Sequence, residues 1–141
     1  DLHYKVLNDK YSQQKGINFY DGAYHEDMVT EARKASDIFI CENRLNSFIR
    51  DDIIPKTGSK KITMLLNSIS ASDKTLLRKT GVKYTLYDQN LPNVLVINKA
   101  QMWLSSDLGF SKNTGITVCI NQPQLVEQFI KLLLQTVDNL V

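Results

Sequence analysis

Histidine and cysteine are scarce in this chain of 141 residues, with two of each. His3 and His25 stand at no metal-ligand spacing from Cys41 or Cys119, so neither a metal centre nor a cofactor is expected. Both cysteines lie in apolar, strand-like runs. They read as buried thiols of a reducing compartment, and the sequence leaves a disulfide open. Long hydrophobic runs are missing too: none approaches the roughly 18 residues of a membrane helix. No secretory signal pattern opens the chain. An intracellular protein without a membrane span is therefore expected. A dominant charge is also lacking. Seventeen basic groups face fifteen acidic ones, and a net charge of +2 does not by itself argue for nucleic acid. The chain starts at Asp1 rather than Met, so it is expected to be a processed chain or one domain of a longer protein.

What is present is ordinary globular material, 43% hydrophobic and 23% charged, enough for one domain with a core. Residues 83–110 organise the rest. Val94 to Ile97 is an unbroken branched-apolar run, the mark of a strand covered on both faces. Leu91-Pro92-Asn93 leads into it and Asn98-Lys99 leaves it. The segment from Trp103 to Leu108 reads as a tight turn carrying small polar groups at a strand end. Trp103 is either the wall of a pocket there or a core residue over the sheet.

Residues 1–16 read as a polar segment with a short edge strand at Tyr4 to Leu7, and residues 17–141 as one domain. Ile17 to Tyr20 reads as a short strand, with Asp21-Gly22 as a turn after it. Residues 24–35 carry helical spacing in Tyr24, Met28, Ala32 and Ala35, with acids first and bases last; His25 reads as solvated in the first turn. Residues 37–42 form a buried strand. Residues 44–53 form a short helix ended by Pro55, before a Thr57-Gly58-Ser59 loop. Lys61 to Leu66 is a second buried strand. Ser70 then caps a helix that stops at Gly81. Strands follow at 83–87, 94–97 and 116–120, and a last helix runs from Pro123 to about Asn139. Its apolar stripe is wider than one face, so it is either sandwiched in the core or shared with another subunit. The fold class is α/β, a mixed β-sheet flanked by helices.

That order resembles one half of a phospholipase D superfamily domain. Glu31 to Ile40 is similar to the family's opening helix and first core strand. Lys61 to Leu66, the helix after it and Gly81 to Leu86 are similar to its next two strands. Residues 83–110, followed by Gln124 to Phe129, are similar to its closing strand pair and last helix. The family's catalytic signature is His-x-Lys, four residues, then Asp, with a later Gly-Ser-x-Asn. On this chain the histidine position falls on Leu91, the lysine on Asn93 and the aspartate on Asn98. The later turn falls near Leu104-Ser105-Ser106-Asp107. The nucleophile and the phosphate-binding cation are both replaced, which implies a degenerate, non-catalytic member. Because the family pairs two halves, a lone half implies a homodimer. It also implies a nucleic-acid or protein partner.

Lys56, Lys60 and Lys61 form one set of candidate phosphate contacts, and Arg78, Lys79 and Lys83 a second; either set also reads as solvated surface. A different enzyme would need Ser105, Ser106, Asp107, Asn98 and Glu42 to gather at one sheet end. Serine and carboxylate without a base make a poor nucleophilic set. Residues 61–133 also resemble a BRCT domain, which implies a nuclear, phosphopeptide-binding scaffold module. The Thr-Gly expected after the first strand is then Asn67-Ser68, and the expected tryptophan is Leu125.

Overall fold

The computed structural model describes residues 16–20, 24–57, 62–105 and 116–139. Tyr4 to Leu7, Asp21-Gly22, Gly58 to Lys61 and Ser106 to Gly115 lie outside the described residues. Seven strands form one sheet: β1 (Ile17–Tyr20), β2 (Ile38–Glu42), β3 (Ile62–Leu66), β4 (Lys83–Leu86), β5 (Asn93–Ile97), β6 (Gln101–Ser105) and β7 (Thr117–Ile120). Their order is β1-β7-β6-β5-β2-β3-β4. β2, β3 and β4 run parallel; the other pairings are antiparallel. This is a mixed α/β architecture, a mixed sheet flanked by helices.

The parallel strands are joined by crossovers, as parallel pairing requires. α1 (Tyr24–Lys34) leads into β2. A π-helical turn (Ile49–Ile53) continuing as α2 (Ile54–Thr57) joins β2 to β3, and α3 (Ala71–Thr80) joins β3 to β4. These helices cover one face of the sheet. Met28 and Ala32, Phe48, Ile49 and Ile53, and Leu77 pack there with Ile40, Met64, Leu95 and Trp103. α4 (Pro123–Asn139) serves the other face, where Val126 is buried among Cys41, Leu65, Val94, Val96 and Met102. The alternation of neighbouring residues between the two clusters is the period-2 pleat of each strand. β5 is buried along Val94 to Ile97, as its unbroken apolar run demands.

The ends of α3 follow from its sequence. Ser70 Oγ accepts from the Asp73 amide at 3.2 Å. Gly81 takes φ 81° and donates to the carbonyls of Leu77 and Arg78, the left-handed closure that glycine adopts without a Cβ penalty.

The structure corrects four readings. Residues 101–105 are a strand rather than a turn, and Trp103 is a core residue at 1% exposure. Pro55 does not end the second helix, because the backbone stays helical over 47–57. The wide turn closes with Ile54 N donating to Ile49 O. Such a turn makes room for a proline, which lacks an N–H and crowds the preceding turn. His25 is half-buried and stacks on Phe48, ring centroids 3.9 Å apart, rather than being merely solvated. Finally, β2, outside the segment that resembles a BRCT domain, sits inside the sheet between β5 and β3. The 61–133 segment is thus not a unit.

α4 is neither fully sandwiched nor free. Phe129, Ile130 and Leu133 are half-buried over the sheet, while Leu125 and Leu134 (44% exposed) and Leu132 (65%) flank them. Cys41 and Cys119 are free thiols in the clusters on opposite faces, so they cannot bridge. Burial pushes both thiols up to about 12.

Candidate functional site

β2, β3, β4, β6 and β1 all finish at one end of the sheet, the exit end, and β5 and β7 begin there. Register places a row of polar residues across it. Asn93 pairs with Ser105, Ser105 with Thr117, and Thr117 with Tyr20. Cys41 pairs with Val94, so Glu42 stands beside Asn93 at the ladder's end. Residues two positions apart share a strand face. Leu95, Trp103, Cys119 and Ile40 belong to the larger core cluster. Glu42, Asn93, Ser105 and Thr117 therefore lie on that same face, under the N-termini of α1 and α3.

Glu42 is fully buried. Its Oε1 accepts from the Asn46 amide at 2.8 Å. Among the described residues its Oε2 has no partner, and neither has the buried Oγ1 of Thr117. Burial pushes the Glu42 carboxyl up to about 8, against the lowering effect of the Asn46 N–H. The acid is thus largely protonated at neutral pH and the row carries little charge.

Asparagines bind the loops at this end. Asn43 Oδ1 accepts from the Leu91 amide at 2.8 Å and its Nδ2 donates to the Leu91 carbonyl at 3.3 Å. The Asn43 carbonyl accepts from the amides of Asn67 and Ser68. Asn67 Nδ2 donates to the carbonyls of Gln89 at 2.7 Å and Tyr87 at 3.3 Å. β2 and β3 are each followed at once by asparagine, a repeat visible in the sequence. Arg44, Leu45, Ser68, Ile69, Ser70 and Asp73 line a cleft of about 410 Å³ beside these loops.

The sites read from sequence separate. Asn93 and Ser105 meet at the exit end; Leu91, at the same end, is buried at 6% exposure in the cluster on the other face, with Cys41, Val94 and Met102. Ser106, Asp107, Lys60 and Lys61 lie outside the described residues. Asn98 sits at the opposite, entry end of the sheet, so it does not gather with Glu42 and Ser105. Arg78, Lys79 and Lys83 are also at the entry end, by the last turn of α3 and the start of β4. Lys56 pairs with Asp52 at 3.8 Å. Thr117 and Tyr20 were not legible as members of the row, because only strand register brings them to it.

Asn98 and Lys99 are the first two residues of the three-residue β5–β6 hairpin loop, both at φ 55°, with Ala100 N donating to Ile97 O. The Asn98 side-chain carbonyl accepts from Ser36 N, Ser36 Oγ and Asp37 N at 2.9, 3.0 and 3.1 Å. It ties this turn to the α1–β2 junction. Asn98→Ala is expected to cost about 1–3 kcal/mol, since it removes three hydrogen bonds and replaces asparagine, which tolerates the left-handed region, by alanine, which tolerates it less. Asn98→Gly should cost less, because it loses only the bonds. Urea unfolding of both variants checks the order.

No protein-family model matches the chain, and no curated relative matches its sequence. Solved structures do match its fold. TrmBL2, an archaeal chromatin protein described as showing a novel mode of DNA binding, superposes with a TM-score of 0.61 at 13% identity. That match covers 98% of this chain and 57% of TrmBL2. NucT from Helicobacter pylori, a phospholipase D-like nuclease, gives 0.61 at 12% identity over 87% of this chain and 95% of its own. Polyphosphate kinase from Porphyromonas gingivalis gives 0.63 at 15% identity over 94% of this chain and 27% of its own. At such identities the likeness shows the fold alone. The chain therefore has a phospholipase D-like fold and spans little more than half of one of these neighbours and about a quarter of another.

Proposed function

We propose that this protein is a non-catalytic phospholipase D-like module that binds nucleic acid and pairs with a second copy of itself. One observation carries the reading. The positions that resemble the family's nucleophile and phosphate-binding lysine hold Leu91, buried in the cluster on the other face, and Asn93, whose neighbours across the exit end are Ser105, Thr117 and a largely protonated Glu42. Leucine cannot attack phosphorus, and no cation in this row would hold the departing charge. A fold of this kind without its chemistry retains binding as its use, and a DNA-binding chromatin protein and a nuclease among its structural neighbours support nucleic acid as the ligand. The exposed leucines of α4 supply a candidate face for the second copy, and two buried thiols suit an intracellular setting.

The test is fluorescence anisotropy with labelled single- and double-stranded DNA and RNA across a salt series, with solution mass recorded alongside. Binding that weakens steeply with salt, no hydrolysis of the labelled strands and the mass of a dimer are expected. Hydrolysis would overturn the non-catalytic reading, and no binding at low salt by folded protein would overturn the nucleic-acid reading.

A further inference from the structure

We infer that nucleic acid is gripped at the entry end of the sheet, remote from the polar row, through contacts to its phosphate backbone. The inference rests on the nucleic-acid reading above and assigns it a face. Topology collects cations there that are scattered in sequence. Arg33 and Lys34 end α1, Arg78 and Lys79 end α3, Lys83 opens β4, and Lys99 caps the β5–β6 hairpin. All six are exposed, and none forms an ion pair with a described residue. Asp37 is the carboxylate among them; Glu31, one turn back on α1, faces Tyr20 and Cys119. Outside that set, the described side chains include five basic groups (Arg44, Arg50, Lys56, Lys74 and Lys131) and nine acidic ones, Glu42 included. The described part of the chain is thus polarised, positive at this end and negative elsewhere, the pattern that orients a polyanion.

Helix dipoles account for cations at the ends of α1 and α3, but not for Lys83 or Lys99. Lys99 occupies φ 55° in a turn position where glycine is the residue of least strain. Its backbone strain in a tight turn is an outlier of the kind that accompanies function. The turn is held against α1 by the Asn98 bonds to Ser36 and Asp37, which fixes Lys99 beside the Arg33–Lys34 helix end. From the β5–β6 turn to β4 the band crosses about four strand spacings, roughly 19 Å. Along a duplex axis that width spans about six base-pair steps, at about 3.4 Å of rise each.

The experiment uses the full chain and a labelled 20-base-pair duplex of arbitrary sequence, titrated from 50 to 200 mM salt. Six phosphate contacts set an upper limit of about 5 on the magnitude of the log–log salt slope. Arg78→Glu with Lys79→Glu should weaken binding at least tenfold and lower the slope by about two. Lys74→Glu with Lys131→Glu, the same charge change elsewhere, should weaken it no more than about twofold. Lys99→Gly should raise the unfolding midpoint while weakening binding several-fold, a split that a merely structural lysine would not show. Equal losses in the two double variants would overturn this face and leave the nucleic-acid reading standing. Binding of single strands or RNA alone, unchanged in the Arg78–Lys79 variant, would likewise overturn this face only. No binding of this duplex, single-stranded DNA or RNA by wild type would overturn both, as would capture by phosphatidylserine vesicles, lost in the Arg78–Lys79 variant, without any nucleic-acid binding.

Discussion

Glu42→Gln is expected to stabilise the protein by roughly 3–5 kcal/mol at pH 9 and to abolish most of the fall in stability between pH 5 and pH 8. The carboxyl sits fully buried with one oxygen unpartnered among the described residues, and burial raises it from 4.5 to about 8. The folded state therefore holds a proton that the unfolded chain has already released. Where the native state binds more protons, stability falls as pH rises. The contribution is complete below pH 4.5, shrinks through the interval and is gone above about 8. A tenfold difference in proton affinity between the folded and unfolded states is worth about 1.4 kcal/mol, which sets the magnitude. Glutamine keeps an oxygen to accept the Asn46 amide and carries no charge at any pH. Urea unfolding of wild type and variant at pH 4, 6, 7.5 and 9 isolates the effect. The two curves should coincide at the lowest pH and diverge upward. Parallel curves would mean that Glu42 ionises normally in the folded state.

Trp103→Ala should cost about 3–5 kcal/mol, which in a domain of this size lowers the melting point by roughly 10 °C or more. The indole is 1% exposed in the larger core cluster. Its ring centroid is 5.2 Å from that of Tyr20, and Nε1 donates to Gln101 Oε1 at 2.8 Å. Gln101 in turn donates to Asn121 at 2.7 Å. Removing the ring empties a large volume and uncovers Tyr20, whose phenol burial now pushes up to about 12. A second readout is therefore a fall in the tyrosine titration toward its usual range. Trp103→Phe should retain most of the stability. Because Ser105 lies two residues along the same strand face, the alanine variant also loosens the polar row. A loss under about 1 kcal/mol would show that the indole does not hold β6 in place.

Legibility in the sequence tracks how local each cause is. The strand at 94–97 is plain because an unbroken branched-apolar run needs cover on both faces. The cap at Ser70 and the stop at Gly81 are plain because each rests on a few neighbouring residues. β6 is hidden: Met102 to Leu104 is a short apolar run, but a serine pair and an aspartate after it imitate a turn. The second helix runs past the point where a single proline suggests a stop, and the π-helical turn that admits it leaves no mark of its own. Leu91, Asn93 and Ser105 can be named from the resemblance. Their neighbours Thr117 and Tyr20 cannot, since cross-strand register joins residues about a hundred positions apart.

By itself the sequence determined the α/β class, the crossover helices, the absence of histidine beyond His25, and the near balance of charge. These depend on composition, periodicity and chemistry along the chain. The tertiary structure decided where things meet. It set a nearly uncharged polar row at one end of the sheet and, at the other, six cations without an ion pair among the described residues. It also put the cysteines on opposite faces and left a carboxyl buried with an oxygen unpartnered among the described residues. Each of these follows from strand order and direction, which are settled by long-range pairing and by the burial of both sheet faces.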